Sequence, residues 1–322
     1  MKNAEDAIRA VVVGHAVADA LGVPVEFLSR RELAADPVLG MRGFGSHPVP
    51  AGTWSDDTTM AIAALDVLAD GRVDYRAMMQ NFADWYAHGA YTATGVTFDI
   101  GGTCAAAIRR FTRDGASPTA CGPREGFSNG NGSLMRIHPF VLMAYCQKLP
   151  TWEGLINDAS SLTHGHERAC LGCRIYTEIL LALLDAPEKS SVIAALKVAE
   201  GKAKASPEVA HYARLFAPGF AALPESEIKS TGYVVDTLEA AVWCLLTTDS
   251  YAACVLRAVN LGEDTDTVAA VAGGLAGALY GYAAIPAEWR QALLKRDYIE
   301  EMCTRAASTW RPQAQAQKGD RK

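Results

Sequence analysis

The sequence predicts an all-α protein of a dozen or more helices, long enough for one large domain or two. Three observations carry that reading. Apolar residues recur at helical spacing through most of the chain, stopped at intervals by Gly and Pro. No series of strand-like segments alternates with them, and Tyr233-Val234-Val235 is too brief and isolated to found a sheet. Two acid clusters, Ser55-Asp56-Asp57-Thr58 and Asp264-Thr265-Asp266-Thr267, fall where two of the predicted helices start.

In chain order, the first helix covers residues 4–21, where Ile8, Val11, Val12, His15, Ala16 and Ala18 repeat at helical spacing before Gly22 and Pro24 stop the run. A loop rich in Gly and Pro extends from Asp36 to Trp54; long loops in compact domains tend to be functional or disordered. Met60, Ile62, Ala63, Leu65, Val67 and Leu68 mark the next helix, closed by Gly71. Further helices are predicted at 75–88, 103–113, 133–146, 166–184, 190–204, 207–215, 232–246, 250–260, 264–282 and 298–308. The connectors 115–132 and 216–231 are interrupted by Phe, Cys or Leu, so neither reads as a flexible linker. Residues 312–322 are polar and of low complexity and read as a disordered tail behind one domain, 1–311.

The helix after the second acid cluster is unusual. From Val268 to Ile285 eighteen residues carry no charge, and Gly273, Gly277 and Gly281 recur every fourth position on one face that neighbours can approach closely. That length is the threshold for a membrane span. The segment is Ala- and Gly-rich, opens on acids and has no flanking Lys/Arg cluster, so it reads as a core helix and no membrane association is expected.

With 322 residues, half of them hydrophobic, the chain can bury a large core. A net charge of −6 excludes broad electrostatic binding of nucleic acid, while a local phosphate pocket stays open. The start carries acids before a short apolar run and has no small-residue cleavage pattern, so a cytoplasmic protein without a signal peptide is expected. Of the eight cysteines only Cys170 and Cys173 form a C-x-x-C, with no second pair to complete a zinc site; reduced, buried thiols are expected.

Either acid cluster alone reads as a helix cap, since Ser, Thr and Asp are favoured there and acids suit the helix dipole. Their density argues for more. A cap needs one oxygen, whereas these clusters bring four carboxylates and several hydroxyls to two helix starts, and unpaired anions brought together would repel. A divalent cation removes that penalty, and oxygen ligands select a hard ion, Mg2+ or Mn2+. Two such ions would use both clusters at once.

A third stretch runs from Phe127 through Ser128, Asn129, Gly130, Asn131, Gly132, Ser133, Leu134 and Met135 to Arg136. Two Asn-Gly steps before a predicted helix make either an anion cradle at the helix N-terminus or a plain turn with an N-cap at Ser133. His164 and His166 sit at a helix entry and match no His-metal spacing, so they are surface polar groups or substrate contacts.

Taken in order, Ala18-Asp-Ala-Leu-Gly-Val-Pro-Val-Glu26, Trp54-Ser-Asp-Asp-Thr58, Phe98-Asp-Ile-Gly101, Gly130-Asn-Gly-Ser-Leu-Met-Arg136, Leu162-Thr-His164 and Gly262-Glu-Asp-Thr-Asp-Thr267 resemble the ADP-ribosylglycohydrolase family over nearly the whole chain. The resemblance implies a compact single-domain all-α orthogonal helical bundle with a dinuclear metal cleft for two Mg2+ or Mn2+ ions, for which Ser55, Asp56, Asp57, Asp264, Asp266 and Thr267 are the matching ligands. It implies that the loop Asn129, Gly130, Asn131, Gly132, Ser133 and Met135 holds the diphosphate or ribose of ADP-ribose, with His164 near the adenosine or phosphate end. Glu26 matches a mobile-loop glutamate beside the metals, and Asp99 a position suited to a substrate guanidinium. Ala18 stands where Gly is frequent and Ser55 where Thr is common, a change that keeps the hydroxyl.

The implied activity is hydrolysis of the N-glycosidic bond between ADP-ribose and an arginine side chain of a modified protein, by a protein expected to be a monomer. Glu26, Asp56 and Asp266 are the catalytic carboxylates put forward for proton handling, and the sequence does not choose among them. The competing readings are a serine O-linked or small-conjugate ADP-ribose hydrolase, a non-catalytic ADP-ribose-binding relative, and a two-metal phosphohydrolase.

Overall fold

In the computed structural model, which describes residues 4–311, every regular element is a helix. The α-helices are α1 (Ala4–Gly22), α2 (Arg30–Ala35), α3 (Asp56–Leu68), α4 (Tyr75–His88), α5 (Gly102–Asp114), α6 (His138–Gln147), α7 (Glu153–Ser161), α8 (Glu167–Asp185), α9 (Lys189–Ala203), α10 (Ala213–Phe216), α11 (Val234–Thr247), α12 (Tyr251–Asn260), α13 (Thr265–Tyr280), α14 (Ala287–Ala292) and α15 (Arg296–Thr309). Among the described residues no β-strand forms. Tyr233 makes an isolated antiparallel bridge to Gly130 and nothing longer. The tail expected at 312–322 lies outside the described residues.

The core is built on α1 and α13, which lie together along their lengths with α12, α11, α8 and α15 packed around them. Both are buried on nearly all sides, as their long apolar runs require. The small-residue face sets their spacing: a Cβ on Gly277 would stand 2.0 Å from the Ala10 carbonyl oxygen. The same contact reaches the acid cluster, because a Cβ on Gly22 would stand 2.4 Å from Asp266 Cα. Gly22, which in the sequence reads only as a helix stop, lets the start of α13 rest on the end of α1. Gly281 leaves the predicted face: at φ 83° it ends α13.

The differences from the sequence prediction have local causes. The helix expected from 133 begins at His138, because Pro139 fixes the backbone of a first turn and residues 133–137 form hydrogen-bonded turns ahead of it. The stretch 207–215 divides into a 3₁₀ turn, Val209–Tyr212, and the short α10. The short helices α2, α7 and α14 have too little length for periodicity to reveal them. α2 nevertheless carries a capping box, Ser29 with Glu32.

α1 with the 3₁₀ turn after it, Ala4–Val25, is long and apolar enough to cross a membrane, with mean hydropathy 1.5, and 94% of that window is buried inside the protein. α13, where the sequence raised the question, has 16 residues. All eight cysteines are buried and free.

Candidate active site

The two acid clusters meet. Ser55 caps α3: its Oγ accepts from the Asp57 amide at 3.3 Å and donates to Asp57 Oδ2 at 3.0 Å. Beneath it lies Asp19 of α1, wholly buried, which accepts from the Ser55 amide (2.9 Å), the Thr58 amide (3.0 Å) and the Thr58 hydroxyl (2.6 Å). Asp264 occupies the N-cap position of α13 without a cap bond. Its Oδ2 instead accepts from Asn131 Nδ2 at 2.8 Å, a group that also donates to Thr237 Oγ1. Asp266 Oδ1 accepts from the Thr267 amide, and Thr267 Oγ1 donates to Asp57 Oδ2 at 3.2 Å, which joins the two helix starts.

These starts form one side of a cavity of about 340 Å³. Glu26, Asp56, Asp99, Asp264 and Thr267 line it on the acidic side; Gly130, Asn131, Gly132, Met135 and His164 line the rest with Phe27, Cys104 and their neighbours. Single ligand atoms of Glu26, Asp264 and Asp266 lie within 4.8 Å of one another, as do those of Glu26, His47 and Asp99. The Glu26 carboxylate meets His47 Nε2 at 2.5 Å. Two backbone bonds hold the Glu26 loop against the α13 start, Phe27 N–H to the Glu263 carbonyl and Glu263 N–H to the Leu28 carbonyl, both 2.7 Å.

Charge at this site is uncompensated. Burial pushes Asp56, Asp57 and Asp266 well above the carboxylate range, and neighbouring acids push further: Asp99 and Asp57 on Asp56, Asp19 and Asp264 on Asp57, Glu26 and Asp57 on Asp266. Glu26 is raised to about 9 by burial and by Asp99 and Asp264, while Asp264 and Asp99 are raised chiefly by burial. Asp57 Oδ1 and Asp266 Oδ2 are buried and make no hydrogen bond among the described residues. Buried carboxylate oxygens with neither donor nor counter-charge are costly, and a cation satisfies both needs. The donors are all oxygen, which fits a hard divalent ion held by Asp56, Asp57, Asp264 and Asp266 with the hydroxyls of Ser55 and Thr267.

Two predicted substrate contacts lie off the cavity wall. Ser133 is fully buried, its Oγ accepting from Ser160 Oγ at 2.9 Å beside Cys173 Sγ. Asn129 donates from Nδ2 to the Gly126 carbonyl and accepts at its own carbonyl from the Val234 amide. Of the two readings of this loop, neither the anion cradle at a helix N-terminus nor the N-cap at Ser133 forms, and a turn ahead of α6 does. α6 starts five residues beyond Ser133, and the Asn131 amide is spent on the Gly232 carbonyl. The loop serves instead as cavity wall.

His164 does face the cavity, and burial together with the nearby Arg136 charge lowers it to about 3, so its imidazole is neutral. The sequence reading missed the roles of Asp19 and His47. Asp19 stood inside a quoted motif, yet its partners are 36 and 39 residues away. His47 came from a loop with no pattern of its own.

The model of the ADP-ribosylglycohydrolase family matches residues 1–316. An ADP-ribosylarginine hydrolase of Pseudomonas putida (strain GB-1) is 32% identical over 302 residues, 94% of this chain and 78% of that protein. The ADP-ribosyl-[dinitrogen reductase] glycohydrolase of Rhodospirillum rubrum is 29% identical over 86% of both chains. A solved structure described as an ADP-ribosylglycohydrolase-related protein complex superposes with a TM-score of 0.81 at 31% identity, over 96% of this chain and 99% of its own. The chain therefore belongs to the ADP-ribosylglycohydrolase family and is a glycohydrolase enzyme.

Proposed function

We propose that this enzyme releases ADP-ribose from modified arginine side chains of proteins, with two Mg2+ or Mn2+ ions held by Ser55, Asp56, Asp57, Asp264, Asp266 and Thr267. The observation that carries the metal part is the pair of buried, unpartnered oxygens, Asp57 Oδ1 and Asp266 Oδ2, at two helix starts joined by the Thr267–Asp57 bond. The arginine linkage is supported by the relative at 32% identity and by Asp99, whose carboxylate lines the cavity where a guanidinium could pair with it. Bound there, the ions would supply Lewis-acid stabilisation and orientation for the ribose hydroxyls and a water.

The remaining tasks fall to the chain. Hydrolysis joins a water oxygen to the anomeric carbon, breaks its bond to the guanidine nitrogen and returns a proton to that nitrogen. Of the three carboxylates put forward for the proton, Glu26 and Asp56 line the cavity, while Asp266 is wholly buried and absent from its lining. Glu26 is the better placed: its Oε2 meets His47, a group that can carry the proton outward. Gly130, Asn131 and Gly132 offer a close wall for the ribose and diphosphate, with His164 beside them.

The test is metal-dependent release of ADP-ribose from an arginine-modified protein, run beside a serine-linked substrate and free ADP-ribose. Release from arginine, cut strongly by Asp99→Ala, supports the assignment. Preferential release from serine would overturn the linkage, phosphate release from ADP-ribose would favour a phosphohydrolase, and binding without turnover would leave a non-catalytic relative.

A further inference from the structure

Arg136 is buried beneath the cavity and, among the described residues, pairs with no carboxylate. Its Nη2 donates to the Ala159 carbonyl at 3.1 Å and to Thr163 Oγ1 at 2.7 Å, while Nε and Nη1 have no partner. Phe82 covers the guanidinium at 5.0 Å from its ring centre, and the titratable groups that interact with its charge are the thiols of Cys104 and Cys173 and the imidazole of His164. A buried cation without an anion is expensive, and a guanidinium stays charged.

Its one side-chain acceptor leads to the cavity. Thr163 Oγ1 accepts a hydrogen bond from Arg136 Nη2, its own hydroxyl hydrogen is available to an acceptor, and His164 Nδ1 lies 2.9 Å away. Cys104 also lies beside Thr163, but a thiol sulfur is a weak acceptor and an imidazole nitrogen a strong one. Nδ1 as acceptor places the ring proton of a neutral histidine on Nε2. Neutrality follows from burial and from the Arg136 charge. Nε2 lies on the cavity side, where a Cβ built on Gly130 would stand 3.4 Å from it. Among the described residues it makes no hydrogen bond.

We infer that Arg136 is a positioning residue: acting through Thr163 Oγ1, it fixes His164 as the Nε2–H tautomer and so presents one oriented donor, backed by a buried positive charge, to a diphosphate in the cavity. The diphosphate rests on the function proposed above; the tautomer does not. The cavity then has two electrically opposite ends, carboxylates toward Asp264 and a cation behind His164. A diphosphate-ribose suits that polarity, its anionic part at the cationic end and its diol at the acidic end.

Ring nitrogen NMR on the full-length protein labelled with ¹⁵N-histidine tests the relay directly. The wild type should show His164 with a protonated Nε2 and an acceptor-type Nδ1, unchanged between about pH 5 and 8. ADP-ribose should shift the Nε2–H signal. Thr163→Val keeps the shape and removes the hydroxyl; it should let both tautomers appear and weaken ADP-ribose binding by about five- to tenfold, the effect of one lost hydrogen bond. Thr163→Ser should restore both, which a purely packing role for Thr163 would not require. An Nδ1–H tautomer in the wild type, or Thr163→Val with unchanged tautomer and affinity, overturns the relay. An Nε2–H tautomer indifferent to saturating ADP-ribose overturns the diphosphate assignment and the ligand reading of the cavity while the relay stands.

Discussion

The starts of α3 and α13 have the same composition, acids and hydroxyls ahead of a buried apolar helix, yet they use it differently. Ser55 spends its oxygen as a cap, accepting from the Asp57 amide, and Asp19 ties down the turn from below. Asp264 caps nothing; its carboxylate faces Asn131 and the cavity, and Asp266 leaves one buried oxygen without a partner. The first start is capped by a side chain and tied down by Asp19; the second has no side-chain cap and is set by the close approach of Gly22 to the Asp266 backbone, with Thr265 Oγ1 donating to the Gly22 carbonyl at 2.8 Å and the Asp264 amide to the Ser230 carbonyl at 3.0 Å. Each start leaves one buried carboxylate oxygen without a partner among the described residues, Asp57 Oδ1 and Asp266 Oδ2. An N-terminal acid cluster is therefore a cap or a site according to where its oxygens are spent.

The largest effect that comparison predicts is on catalysis. Asp266→Ala should cut turnover by about a thousandfold or more and abolish metal-induced thermal stabilisation, while the helical circular dichroism stays that of the parent. Unchanged activity would return Asp266 to an ordinary first-turn acid.

Next in size is the contact that places it. Gly22→Ala puts a Cβ 2.4 Å from Asp266 Cα, against backbone that cannot move without shifting the cluster. Overpacking of this kind costs about 1–3 kcal/mol or more, read from denaturant midpoints, and turnover should fall with it. Gly154→Ala in α7, where a Cβ meets nothing within 4 Å, is the control and should be neutral or mildly stabilising. Equal losses at both positions would mean that the α1–α13 approach does not govern the result.

The third effect is on pH dependence. Asp19 titrates at about 6 in the fold against an ordinary 3.8, raised by burial in spite of its bonds to Thr58 and Ser55. The folded chain then holds more protons than the unfolded one, so this stability is fully present below about pH 4 and is lost as pH rises through about 6. For Asp19 alone the loss is about 3 kcal/mol. Glu26, at about 9, continues the trend upward. The buried imidazoles of His15 and His164, lowered to about 4 and about 3, add stability of the opposite sign as pH rises to about 6.5, so the acids are read above that range: the metal-free protein should melt at lower temperature at pH 8.5 than at pH 7, and saturating Mn2+ should stabilise it more at the higher pH. A metal-free melting temperature that rises over that range would refute the uncompensated charge.

What the sequence disclosed and what it hid divide along similar lines. The acid clusters were legible because each is local: neighbouring residues at a helix start carry both the cap propensity and the ligand chemistry. That α13 is a core helix with a closely approached face was legible from the uncharged run after Thr267 and from Gly273 and Gly277; that α1 is the helix on that face was not. Asp19, His47 and Arg136 were present but mute, because each acts on a residue at least 21 positions away, and nothing at their own positions signals it. The loop before α6 was misplaced for a different reason: residues 133–137 have helical composition, but Pro139 governs where the helix begins.

The smallest predicted effect separates the two helix starts most cleanly. Ser55→Ala removes a cap and should cost about 1 kcal/mol of stability in the metal-free protein. Asp264→Ala removes no cap bond and takes away a carboxylate that repels Asp57, while Asn131 Nδ2 keeps Thr237 Oγ1 as acceptor. The metal-free Asp264→Ala protein should thus be as stable as the parent, or more so, despite losing a buried polar side chain. With saturating metal the order should reverse, because Ser55→Ala leaves all four cluster aspartates whereas Asp264→Ala removes one of them. If Asp264→Ala destabilised the metal-free protein as much as Ser55→Ala does, both starts would be caps, and the distinction between them would fall.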